Sequence, residues 1–200
     1  WVNPGYGGGD KQPGIWWDTY INDVHFICID GRYYRTDPKK TKGEPSMLGP
    51  AQKRWLLSTI KKSRGTFKVL ISPVPWVFKA KGDSRDTWSG FKKERNEIFT
   101  FLTENKIEGV VLMSADRHRS DLWKIDRPDD YALYEFNSSR LTNQHVHKTM
   151  EAAIFSYNAK QSFGTVDFDT AAADPTATYR IHTIDGEQVF LHTVKRSELN

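Results

Sequence analysis

Cys28 is the single cysteine of this 200-residue chain, which excludes an internal disulfide framework and any multi-cysteine zinc or iron–sulfur site. No apolar run approaches the ~18 residues of a membrane span, so no membrane span is expected. No internal repeat or low-complexity tract is present. The chain opens on Trp1 without a charged-then-apolar leader, so a processed or cropped polypeptide is expected. No Gly-rich phosphate cradle can be built, because Gly7-Gly8-Gly9 precedes no helix. No Ser-His-Asp arrangement can be argued either.

What remains fits one globular domain, with 38% hydrophobic and 27% charged residues. Charge is uneven: the first hundred residues hold 18 Lys and Arg against 10 Asp and Glu, the second hundred 11 against 15. A basic half suits an anionic partner such as a phosphate. The basic residues are spread over several elements, so no nucleic-acid partner is expected.

Residues 15–21 and 24–30 read as strands joined at Asn22-Asp23. The second is apolar on both sides, as in a buried strand. Gly49-Pro50 opens a helix, since proline suits the first turn, and Ala51, Trp55, Leu56 and Ile60 share one stripe of it. Residues 67–72 form a short buried strand, 73–90 a loop, 91–105 a second amphipathic helix and 109–113 another apolar strand. This rhythm predicts an α/β layered core over residues 1–118. Residues 119–200 read as mainly antiparallel strands, with Asp185-Gly186 a hairpin turn.

The segment with most chemistry is Ser114-Ala115-Asp116-Arg117-His118, at the carboxyl end of a buried strand, where open α/β folds place their sites. If extended geometry persists through Arg117, Asp116 and His118 project to one side and can reach one cation. Arg32, just past another strand, can fork onto a phosphate; a structural ion pair with Asp30 is an equally open reading. Tyr33 and Trp88 are candidates to wall a substrate pocket, with packing as the rival role. His145-Val146-His147 has ligand-like spacing but no acidic neighbour, and reads as solvated or capping. Cys28 reads as a core residue, and His25, His182 and His192 need no special role.

Several blocks, in order, carry a resemblance: Asn3-Pro4-Gly5-Tyr6-Gly7, residues 29–35 (IDGRYYR), residues 47–56 (MLGPAQKRWL), residues 67–72 (FKVLIS), residues 86–91 (DTWSGF) with Glu94-Arg95, Ser114 to His118, and Ser162-Phe163-Gly164. Together they resemble the carboxyl-terminal half of PhoD-like alkaline phosphatases, in the calcineurin-like metallophosphoesterase superfamily. The resemblance implies a β-sandwich flanked by helices, of which this chain is one part of a single domain. The amino-terminal half of the family fold is expected to be absent from the chain, as a separate or missing segment. It further implies Asp116 and His118 as ligands of a multinuclear site of divalent or trivalent metal ions, calcium and iron being the candidates. Arg32 is then the catalytic cation, a phosphate ester the substrate, and the location secreted or periplasmic.

Two features depart from the family pattern. Ala115 stands where relatives read Ser-Gly-Asp-x-His; if that position needs positive φ, alanine strains the loop by about 1 kcal/mol or more. The family's other ligands precede Trp1. Two readings therefore stay open: a metal-dependent phosphatase or phosphodiesterase of which this chain supplies part of the site, or a non-catalytic module that kept the fold.

Overall fold

In the computed structural model, which describes residues 6–9, 12–78, 80–142 and 144–200, the strands expected from the apolar runs sit in two sheets. β1 (Trp17–Ile21) and β2 (Val24–Cys28) form an antiparallel hairpin turned at Asn22, whose φ is 51°. Helix α1 (Gly49–Lys62) leads into β3 (Phe67–Ile71). After the short strand β4 (Ala80–Asp83), helix α2 (Lys92–Glu104) leads into β5 (Val110–Ser114). The remaining strands are β6 (Ser120–Arg127), β7 (Asp130–Asn137), β8 (Phe155–Tyr157), β9 (Ser162–Asp169), β10 (Thr176–Thr183) and β11 (Gln188–Lys195), after which a short 3-10 turn spans Arg196–Glu198.

The larger sheet runs β1-β2-β3-β5-β7-β6-β8, and the smaller is the antiparallel meander β11-β10-β9. β2, β3, β5 and β7 are parallel, so their carboxyl ends share one edge. β4 and β8 were not legible in the sequence. β4 lies in a stretch read as loop, and β8 is three residues long with no alternation to mark it.

The larger sheet is covered on both faces, which explains its continuous apolar runs. Val24, Phe67, Val69, Val111, Tyr134 and Phe136 meet Ala177, Tyr179, Ile181 and Val194 of the smaller sheet. On the opposite face, Ile27, Leu70, Val110, Leu112 and Leu133 pack with Leu56 and Ile60 of α1 and Ile98 and Leu102 of α2. Successive residues of each strand thus serve different layers.

Polar side chains tie the helices to the sheet edge. The buried Gln52 amide donates to the carbonyl of Asp30 and accepts from its N–H (2.9 and 2.7 Å). Glu94 of α2 accepts from Ser46 Oγ at 2.8 Å and from the backbone N–H of Met47 at 2.6 Å. A carboxylate at this end of α1 meets the helix's unpaired amides and favourable dipole. Gly49, at φ 69°, lies against Tyr34; a Cβ there would sit 2.8 Å from the tyrosine Cβ. These contacts fix where the chain leaves β2 and enters α1.

Candidate metal and phosphate site

Asp30, buried at the end of β2, organises the turn that carries Arg32 and Tyr33. Its Oδ1 accepts from the backbone N–H of Arg32 (2.8 Å) and of Tyr33 (3.0 Å), and its Oδ2 from the N–H of Ile15 (3.1 Å). The ion-pair reading of Asp30 and Arg32 is therefore corrected. The Asp30 carboxylate is used by backbone amides, and the Arg32 guanidinium reaches Asp86 instead, Nη1 to Oδ1 at 2.9 Å. Arg35 shares that oxygen at 2.7 Å, and Lys81 Nζ lies 3.9 Å from the other. Three cations around one carboxylate leave this patch net positive, and the Arg32 side chain is half exposed.

Burial alone would raise the Asp86 carboxyl, but the hydrogen bonds and charges of Arg32 and Arg35 outweigh it and hold it below the ordinary range. Burial lowers the Arg117 pKa, opposed first by Asp116 and, least of all, by the charge of Asp86.

β5 ends at Ser114, and residues 115–119 cross to the start of β6, which pairs beside β7 through Asp121 and Asn137. Extended geometry does not persist through this crossing. Asp116 has φ 71° and His118 φ 46°, so the argument that alternation alone aims them together fails. Between them the buried Arg117 guanidinium folds back onto the Asp116 carbonyl (2.6 Å from Nη2) and carboxylate (3.0 Å). Arg119 is also buried, held by Asp121 at 2.8 Å and by the carbonyl of Ala80 at 2.9 Å. Ala115 is exposed and is not a positive-φ position. The glycine of the family pattern is not needed there, because the turn is made one residue later.

The loop leaving β7 at the same edge brings His145 and His147 to His118. One ring nitrogen of each lies within 4.8 Å of the others. The His118 and His147 rings stack at 4.8 Å, and the His145 ring stands edge-on to both, at 5.2 and 5.0 Å. The expectation of a solvated or capping His-Val-His holds in part, since His145 is exposed and His147 Nδ1 bonds the Arg117 backbone carbonyl, but it does not anticipate the meeting with His118. Their partner is His118, 27 residues before His145 and 29 before His147, a separation local spacing could not bridge. Asp116 is not part of this trio among the described residues.

The donors present fit a metal ion. His118 Nδ1 is buried with no hydrogen-bond partner among the described residues. His147 Nδ1 lies 2.7 Å from the Arg117 carbonyl, which calls for a proton on Nδ1 and leaves the Nε2 lone pair available. Burial lowers the His147 pKa, and the neighbouring charges of Arg117, His118 and His145 lower it further, against a raising contribution from the carbonyl hydrogen bond.

Tyr33 is exposed, and its ring lies tilted at 59° against that of Tyr34, with centroids 4.9 Å apart. Trp88 is fully buried, 4.7 Å from the ring of Trp76, and its Nε1 donates to Ser72 Oγ at 3.2 Å. No face of it is open to a substrate, so its place is in the core. Cys28 is half-buried, and burial, with the charge of Asp30, pushes its thiol pKa up, away from reactivity.

Behind the loop, a buried network holds the ends of β5 and β7. Glu135 accepts from the backbone N–H of Trp76 and Val77 (both 2.9 Å) and from Ser114 Oγ, which in turn accepts from Asn137 Nδ2 at 2.8 Å. Burial raises the Glu135 carboxyl to about 7 against the opposing effect of these hydrogen bonds. No sequence signal marked it, since Glu135 lies in a strand otherwise read for its apolar residues.

Comparison with known proteins supplies the family. Residues 15–183 match the PhoD-like phosphatase family. Alkaline phosphatase D of Bacillus subtilis (strain 168) is 28% identical over 51% of this chain and 20% of its own length. The solved structure of PhoD superposes with a TM-score of 0.61 over 94% of this chain and 44% of that one, at 17% identity, a likeness of fold. The chain thus spans less than half the length of these relatives and covers part of the family domain. With its match across most of the sequence, the chain belongs to the PhoD-like phosphatase family.

Proposed function

We propose that this chain forms the carboxyl-terminal part of a metal-dependent phosphatase or phosphodiesterase, acting outside the cytoplasm as a secreted or periplasmic protein. The observation that carries the reading is the juxtaposition, at one sheet edge, of a net-positive Arg32 patch with a loop rich in metal-ligand side chains. His118, and Asp116 once released from Arg117, would hold metal ions there. When bound, such ions supply Lewis acidity and an activated water. Arg32 binds the non-bridging oxygens of the ester and stabilises the charge they carry, for which a bidentate guanidinium is suited. Tyr33 stands beside it as an exposed wall for the alcohol portion. The two sheets and their helices form one half of the family sandwich, and the rest of the site comes from an amino-terminal part.

A second reading, a module that kept the fold without the complete site, is favoured by one contact. The Asp116 carboxylate is already held by Arg117 at 3.0 Å. Turnover of aryl phosphate mono- and diesters separates the two, measured with the amino-terminal part present and with and without chelator. Chelator-sensitive hydrolysis lost in His118→Ala supports the enzyme. Chelator-insensitive turnover, or no turnover in any metal, overturns it.

A further inference from the structure

We infer that His118, His145 and His147 form a three-imidazole site for a single borderline transition-metal ion of the zinc class, distinct in donor chemistry from a calcium site. Two loops that leave the same edge of the larger sheet deliver the three rings. Residues 115–119 supply His118, and the segment between β7 and β8 supplies the other two. One nitrogen from each ring lies within 4.8 Å of the other two. Metal–nitrogen bonds of about 2.0–2.1 Å place the nitrogens of a tetrahedral site about 3.3 Å apart, so modest rotations of the rings close it.

Two details show that these rings do more than share a surface. His118 Nδ1 is buried and lacks a hydrogen-bond partner among the described residues, an arrangement that costs free energy unless something engages the lone pair or proton. His147 is oriented from both sides: Nδ1 lies 2.7 Å from the Arg117 carbonyl, and the His147 carbonyl accepts from Asn158 Nδ2 at 2.8 Å. A histidine whose Nδ1–H is held by a carbonyl presents Nε2 as a ligand, the usual outer-shell arrangement of metal-bound imidazoles.

The local charge permits a cation although two arginines lie close by. The Arg117 guanidinium is paired with Asp116 at 3.0 Å and that of Arg119 with Asp121 at 2.8 Å. Both pairs are formally neutral, and the imidazoles add no charge when deprotonated. A bound divalent ion therefore keeps its full charge, which attracts an anionic oxygen ligand. The exposed His145 leaves the solvent side open for a fourth ligand, as in metal sites that bind substrate or water. Nitrogen donors without a carboxylate select zinc, cobalt, nickel, copper or iron over calcium and magnesium, which demand oxygen.

The inference rests on the proposed phosphoesterase reading only for what a bound ion does to a substrate; binding itself requires this chain alone. The test is titration of the metal-stripped full chain with Co2+, followed by visible absorption and by equilibrium dialysis with Zn2+. One equivalent is expected to bind, and millimolar Ca2+ should leave it in place. His145→Gln and His147→Gln should each weaken binding beyond the about 10–100-fold that loss of an outer-shell partner costs. Lys148→Ala, in the same loop, should leave it unchanged, and circular dichroism establishes that each variant is folded. Unaltered Co2+ binding in the folded His145→Gln/His147→Gln double variant overturns the inference, as does a folded wild-type chain that takes up no Co2+ or Zn2+. Stoichiometric binding lost in His145→Gln, in a protein that hydrolyses no phosphate ester, supports this site while the enzymatic reading fails. Hydrolysis and metal content both unchanged in the double variant leave the enzymatic reading standing and sink this one.

Discussion

Arg32 and Asp86, 54 residues apart in sequence, are joined by a single contact of 2.9 Å between Nη1 and Oδ1, and Asp86 also holds Arg35. This contact orients the guanidinium, and it competes with any anion for the same donor. Asp86→Asn should therefore tighten binding of inorganic phosphate, read by calorimetry, while Arg32→Ala weakens it. Arg32→Lys should restore it only in part, since lysine cannot form the bidentate fork. A half-exposed ion pair contributes no more than about 1 kcal/mol, so the Asn variant should remain close to wild type in stability. The depressed Asp86 carboxyl lends stability above its unfolded pKa, and that stability is lost as pH falls through the lower folded value. The difference between wild type and Asp86→Asn should accordingly vanish in strong acid.

Glu135 gives a pH dependence of opposite sign. Its folded pKa is raised to about 7, by burial first, so the folded chain holds a proton that the unfolded chain has already released. Below the ordinary carboxyl range both states are protonated and the group costs nothing. As pH rises towards 7 the unfolded state ionises first and stability falls, by up to about 3 kcal/mol, levelling off above 7. Urea unfolding at pH 5 and pH 8 measures this. The difference between wild-type and Glu135→Gln curves should change by most of that amount, about 2.5 kcal/mol, between the two pH values, because the unfolded carboxyl is already partly ionised at pH 5. A constant difference would refute the assignment.

Trp88→Ala tests whether the indole is core or pocket. The ring is fully buried against Trp76 and bonds Ser72, so truncation should cost about 3–5 kcal/mol of stability. In any folded fraction, the KM for a phosphate ester should be unchanged. A stable variant with a raised KM would return Trp88 to the substrate.

Glu94 joins the two helices and is legible only in the structure. Its carboxylate receives Ser46 Oγ and the Met47 amide near the start of α1. Removing it in Glu94→Ala leaves buried donors unsatisfied, at about 1–3 kcal/mol. Glu94→Gln should recover part of this loss, which guanidinium unfolding would measure.

Periodicity made most of the fold readable, because residues such as Ile27 and Leu70 face the helices while Phe26 and Val69 face the smaller sheet. Both faces being apolar, the strands announce themselves. β8 and β4 escaped because their few residues carry no such pattern. Candidate site residues could be named where one local block carried them, at Asp116 and His118 and at Arg32 and Tyr33 just past β2. What the sequence could not reveal is where distant side chains meet. His145 and His147 reach His118 only because β6 pairs beside β7 and both loops leave one edge. The Asp86 partner of Arg32 is hidden for the same reason.

Ala115 offers the sharpest check on the loop's backbone. Were it in a position that only glycine suits, Ala115→Gly would relieve strain and stabilise the protein. The positive φ values fall instead on Asp116 and His118, while Ala115 is exposed and not among the positive-φ positions. Glycine there gains no relief and only enlarges the freedom of the unfolded chain. Ala115→Gly should therefore lower stability by about 0.4–1 kcal/mol. Asp116→Gly would fit the backbone at φ 71° but lose the carboxylate that pairs with buried Arg117, leaving that charge uncompensated at a cost of several kcal/mol. Thermal melts of the two variants distinguish these cases by order. Ala115→Gly should melt close to wild type and Asp116→Gly well below it, and the reverse order would place the turn at Ala115.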